Sequence, residues 1–392
     1  MPSYAPALSS GNRLYFAGAG GTVYFKDTPD QATGSTGQLA FFGLANYQAS
    51  AAAYNSSVFI NTPITSDNAG NVYFGFQTLG NSPLGATGGV AKIDASGVGT
   101  WVGASSLVGG MTKTAINAAP AISNDGTKVY FALSNGGDGR LVQLKTSDLS
   151  LVSASAPLQA VEDVSTASPT IGPDGDVYFG TNNGYHFRGV MNHFSADLSV
   201  VKTPASFGWD DTASIVPRSM VPSYTGTSNY LLMIKYNDYA GVGGTGINKV
   251  AIVDPNDLTQ IDPVTGQTVM KEILTIAGVT PDGNPPVLPG AVREWCINTA
   301  VVDPATGSIL VNSEDGKLYR WNLTSNTFTE VITLTTGIGE AYTPTIIGAD
   351  GKVYAINNAT LFAVGVPEPA SWAYALAGLA TIAFLVRRRA VR

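Results

Sequence analysis

The chain has 392 residues, 44% of them hydrophobic and only 12% charged, with 45 Gly, 17 Tyr and 15 Phe. That is apolar material for one large β domain or two ordinary ones, written in short strands and tight turns rather than helices. A formal charge of −7 argues against a nucleic-acid partner, and a single cysteine excludes an intrachain disulfide and a cysteine-based metal cluster.

From the N-terminus onward one phrase recurs: a Pro or small residue, a few β formers, a Gly-containing turn, then an aromatic-rich strand. It reads APALSSGNRLYFAG from Ala5, TPITSDNAGNVYFGF from Thr62, APAISNDGTKVYFAL from Ala119, SPTIGPDGDVYFGT from Ser168 and TPTIIGADGKVYAIN from Thr343. Two degenerate copies start at Ser214 and Thr299. The anchor positions are Pro6, Pro63, Pro120, Pro169, Ile215, Ala300 and Pro344. A self-similar interval near 40–50 residues with several strands per unit is the signature of a β-propeller. Further strands follow each copy, such as GGVAKID, GRLVQLK and GKLYRWN. The expected architecture is all-β: a seven-bladed propeller of four-stranded antiparallel blades over residues 1–365.

Blades pack face to face, which explains why alternation is lost in Leu14-Tyr15-Phe16 and Val129-Tyr130-Phe131. The Asp-Gly and Asn-Gly pairs read as hairpin turns, not calcium loops. The long interval between Ile215 and Ala300 reads as one blade with long loops. The last blade offers three strands, TPTII, KVYAIN and TLFAVG. Only Met1 to Tyr4 precede the first copy, with no charged-then-apolar leader. Both features are expected if the natural chain begins further upstream.

Loops leading into the inner strands gather on one propeller face around the axis. They carry Lys113, Glu162, Asp163, Asp210, Asp211, Arg293, Glu294, Trp295 and Glu340, the candidate ligand-binding residues. His186 and His193 lack metal-ligand spacing and read as structural; Cys296 reads as a small buried apolar residue. No catalytic signature, metal site or cofactor motif stands out.

Residues 366–392 read as a separate unit. VPEP (Val366, Pro367, Glu368, Pro369) precedes an uncharged run from Ala370 to Val386, closed by Arg387, Arg388 and Arg389. The run is just long enough for a membrane-spanning helix, and the Arg cluster marks its cytoplasmic end. In that order the three parts resemble the PEP-CTERM sorting signal of Gram-negative bacteria. The resemblance implies export through the inner membrane, with the propeller first in the periplasm. It also implies processing by an exosortase, release to the cell surface or beyond, and a link to exopolysaccharide. The repeats resemble quinoprotein-like (PQQ-like repeat) propellers, SILVNSEDGKLYRWNLTS most closely; without a vicinal Cys pair or a haem site, shape is implied and no cofactor. The expected function is a non-catalytic binding or scaffold protein for exopolysaccharide or a matrix protein. The alternative is a polysaccharide hydrolase or lyase acting at the ring face.

Overall fold

The repeated turns close as their residues require. Gly70, Gly126, Gly175, Gly316 and Gly351 all have φ between +71° and +90°, open to glycine at no steric cost. In the last four, the preceding Asp side chain accepts the backbone N–H two residues on, an Asx turn that fixes the hairpin. The computed structural model describes residues 6–161, 163, 165–182 and 186–365.

The strands form seven radial antiparallel sheets, the blades of a β-propeller. Blades one to seven cover residues 7–40, 58–103, 113–154, 170–205, 214–277, 301–333 and 346–365. The long interval holds one blade, as expected, with a small hairpin (Gln260–Ile261 and Thr268–Val269) inserted before its outer strand Lys271–Ala277. Blade seven has three strands among the described residues. One expectation needs correcting: helices occur. Leu44–Ala49 and Ala51–Ser57 lie between blades one and two. Their segment, ANYQASAAAYNS, is rich in alanine, the strongest helix former.

Second strands such as Val72–Thr78 and Tyr230–Tyr236 are buried on both faces, because a neighbouring blade covers each side. Polar bonds tie the same joints: Ser66 Oγ donates to Leu8 O (3.1 Å), Thr65 Oγ1 to Pro120 O (2.7 Å), Asn124 Nδ2 to Gly172 O (2.8 Å), Thr170 Oγ1 to Ala213 O (2.9 Å), Ser214 Oγ to Ala300 O (2.8 Å) and Asn312 Nδ2 to Ile356 O (2.8 Å). Each joins one blade to the next.

The seam between blades seven and one differs. Among the described residues no hydrogen bond crosses it and no core cluster spans it. Phe16 is 40% exposed and Leu361 63%. The sequence expectation of two covered faces therefore holds for Val129–Phe131 but not for Leu14–Phe16, where only Tyr15 is buried. The repeat itself shows what is lacking. Thr345 in TPTI occupies the place of Thr170 in SPTI; its hydroxyl is buried without a partner among the described residues, whereas that of Thr170 reaches the next blade. Likewise Tyr130 Oη donates to Ala196 O of blade four, while Tyr354 Oη, among the described residues, donates to Asp350 of its own turn.

Candidate functional site

The strand Tyr230–Tyr236 carries one charged residue in an otherwise uncharged run, Lys235. Burial on both faces would normally exclude a lysine there. Its position near the strand's end turns the side chain onto the wall of a cavity of about 250 Å³ at the ring face. The loops into blades five, six and seven supply most of the other walls. Phe187 and Tyr342, each about half exposed, stand at the mouth; Asn237, Trp295 and Cys296 are buried in the floor. Trp209, Asp210, Tyr239, Val242 and Glu294 complete the lining.

Backbone contacts hold this floor in place. Asn237 brackets Trp295, accepting its N–H (3.0 Å) and donating to its carbonyl (3.2 Å). The Trp295 ring packs edge-on to Tyr319, centroids 5.4 Å apart. Asp210 sits at φ +53°, uncommon for a residue with a side chain, and its Oδ1 accepts Thr166 N–H at 2.6 Å. Glu294 N–H donates to Glu314 Oε1 (3.1 Å).

The electrostatics follow from burial. The Glu294 carboxyl is pushed up to about 7, first by desolvation and then by the charges of Glu314 and Glu340, with Lys235 opposing. Asp211 lies behind the cavity; desolvation raises it to about 8, against the pull of Lys235, whose backbone N–H it accepts at 3.2 Å. Desolvation also raises Glu314 and the Cys296 thiol, so Cys296 is held as a thiol rather than a nucleophilic thiolate. One ligand atom from each of Glu294, Cys296 and Glu314 falls within 4.8 Å of the others, a spacing one cation could bridge.

Through its side chain, Lys235 acts on these acids by charge alone. It is 2% exposed, and among the described residues its Nζ makes no hydrogen bond or ion pair. Its Nζ lies 5.9 Å from the centroid of the Phe207 ring.

Of the nine residues proposed from sequence, Asp210, Glu294 and Trp295 meet in this cavity. Asp211 is adjacent but buried, and Glu340 stands outside the lining and acts on Glu294 and Tyr342. Arg293 pairs instead with Asp282 (3.1 Å) and Glu314 (3.7 Å). Lys113 and Asp163 form their own ion pair at 2.5 Å. Glu162 lies outside the described residues, as do Val366 to Pro369 and Arg387 to Arg389. Sequence reasoning missed Lys235, Asn237, Tyr239 and Tyr342; the lone Lys in YLLMIKY was the available signal. His193 is buried, its Nε2 2.8 Å from Asp176 Oδ2 and its ring stacked on Tyr178, a structural arrangement.

Among the described residues no helix is long and apolar enough to cross a membrane. Among curated proteins there is no match to the chain. It is similar in structure to a chain of the mitotic checkpoint complex (TM-score 0.53, 12% identity, 93% of this chain and 87% of that one). A second similar structure is Sqt1 of Saccharomyces cerevisiae (0.51, 10%, 93% and 86%), and a third is BamB of Moraxella catarrhalis (0.48, 13%, 92% and 85%). At these identities the first two likenesses speak for the fold alone. Residues 365–389 match the PEP-CTERM protein-sorting motif. The chain is thus a seven-bladed β-propeller carrying a PEP-CTERM sorting signal at its C-terminus, which marks it as an exported protein processed by an exosortase.

Proposed function

We propose that this exported propeller is a non-catalytic binding protein of the cell envelope or extracellular matrix, and that its ring-face cavity holds one sugar residue of an exopolysaccharide. The observation that carries the reading is the make-up of the cavity: aromatic rings at the mouth, with carboxyl, amide and ammonium groups below. Sugars present apolar C–H faces for rings to cover and hydroxyls that both donate and accept. A cavity with aromatic walls and a few convergent polar groups suits that chemistry.

The tail supplies the address. Residues 1–365 are the functional body, and residues 366–392 hold it in the inner membrane, propeller in the periplasm, until an exosortase removes them. The described fold ends with the strand Thr360–Gly365, and a matrix protein is a second kind of partner the released body would meet.

The test is pull-down of the full chain against purified exopolysaccharide of the producing strain, beside a Trp209→Ala, Tyr342→Ala variant. Retention by the polysaccharide, weakened at least about tenfold in the variant, supports the reading. Equal retention of both proteins, or of neither, overturns it. Release of reducing ends during incubation would instead mark a hydrolase or lyase.

A further inference from the structure

Resting on that reading, we propose that the ring-face cavity selects an acidic sugar, a uronic-acid residue whose carboxylate pairs with Lys235 at the cavity wall. A buried ammonium without a partner is costly, because nothing replaces the water it lost. Proteins rarely leave such a group on a cavity wall unless something else completes it. Here the wall provides no partner within contact distance among the described residues.

The acids nearby do not fill that role. Asp210 Oδ1 is engaged by the Thr166 N–H and hydroxyl. Asp211 is buried behind the cavity and binds the backbone N–H of Lys235, not its ammonium. Glu294 turns toward Glu314 and Cys296. Burial raises the Asp211 and Glu294 carboxyls toward their neutral forms, which weakens what their charges offer Lys235. A ligand bringing one negative charge and several hydroxyls answers both deficits. Its carboxylate meets Lys235, while Asp210 and Glu294 take hydroxyl protons and Trp209 and Tyr342 cover its apolar face. A neutral sugar satisfies only the second half of that set, and an inorganic anion only the first.

The experiment is calorimetric titration of the full chain, wild type and Lys235→Met. The probes are oligogalacturonate, its methyl ester and glucose. Lys235→Gln serves as a second variant, and circular dichroism and melting temperature check the fold of each. The expected result is binding of oligogalacturonate at least about tenfold tighter than of the ester. That preference should vanish in both variants, with unchanged or raised melting temperature. Equal binding of acid and ester by the wild type, or a preference that survives in both variants, overturns the acidic-sugar assignment and leaves sugar binding itself intact. Binding of none of the three probes, together with failure of the polysaccharide pull-down, removes both readings.

Discussion

Two residues test how burial is used in this ring. Asp211 has its carboxyl raised from the ordinary 3.8 to about 8 by desolvation. The folded chain therefore keeps a proton there that the unfolded chain has lost. Its favourable contribution is complete below about pH 4 and disappears as pH rises toward 8. Glu294, raised to about 7, acts in the same direction over a narrower range. Chemical denaturation at pH 5 and pH 8 should show greater stability at pH 5. The gap should be at least ~1.4 kcal/mol, the equivalent of one pKa unit, and Asp211→Asn should remove much of it. A flat profile, or greater stability at pH 8, would show that these carboxyls stay solvated. The threonine pair gives a sharper contrast. Thr170→Val loses the bond to Ala213 O and should cost ~1 kcal/mol. Thr345→Val removes a hydroxyl that has no partner and should be neutral or stabilising. Equal costs in urea denaturation would mean that Thr345 Oγ1 is bonded after all.

Among the elements, the inserted hairpin of blade five is held by one buried ion pair. Arg188 Nη2 reaches Asp262 Oδ2 at 2.6 Å, and Met270 N–H donates to Pro204 O of blade four (2.9 Å). The Arg188 guanidinium lies 4.6 Å from the centroid of the Tyr236 ring, and Lys249 Nζ 4.4 Å from the same centroid. Asp262→Ala would strand a buried guanidinium and should cost ~3–5 kcal/mol. The double variant Arg188→Met, Asp262→Leu should recover most of that loss, since no charge then remains buried. A double variant as unstable as the single would locate the stability in hairpin packing instead. The two helices before blade two act by packing. Tyr54 stacks on Phe42 with centroids 4.1 Å apart and planes 7° from parallel, and it is buried.

At the scale of the whole molecule, the seam between blades seven and one sets the order of stability. Among the described residues every interior blade is covered on both faces, whereas these two are each covered on one. Local opening begins where buried apolar contact is least. Amide hydrogen exchange should therefore be fastest in the strands at 346–365, ahead of blades two to five. Uniform protection around the ring would mean that the seam is closed in solution. The exposed Phe16 and Leu361 have little burial to lose. Phe16→Ser and Leu361→Ser should lower aggregation while changing the melting temperature by no more than surface substitutions do. The sorting signal makes a separate prediction. Protein recovered from the extracellular fraction should have a mass that lacks the apolar run and Arg387 to Arg389, and a chain ending at Gly365 should fold as stably as the full one. Recovery of intact Arg392 would identify the tail as a permanent anchor.

The repeat, the turns and the tail could be read from the sequence because each is written in adjacent residues. The Asp-Gly pairs at 125–126, 174–175, 315–316 and 350–351 each carry a turn in two adjacent residues, a returning VYF phrase counts blades, and VPEP followed by an apolar run and three arginines is contiguous. The blade count, the single blade in the long interval and the three strands of the last blade were legible for that reason. The cavity was legible only in part. Asp210, Glu294 and Trp295 sit in loops whose place at the ring face follows from blade topology, so position alone identified them. Lys235 lies in a strand that the sequence marks as core. Only the packing of four blades around the axis decided that its ammonium faces a cavity and not solvent, and that Lys113, Asp163 and Arg293 spend their charges on local partners. The seam left uncovered among the described residues is also a tertiary fact: the end blades carry the same phrases as the interior ones, and whether a neighbour covers them depends on how far the ring turns.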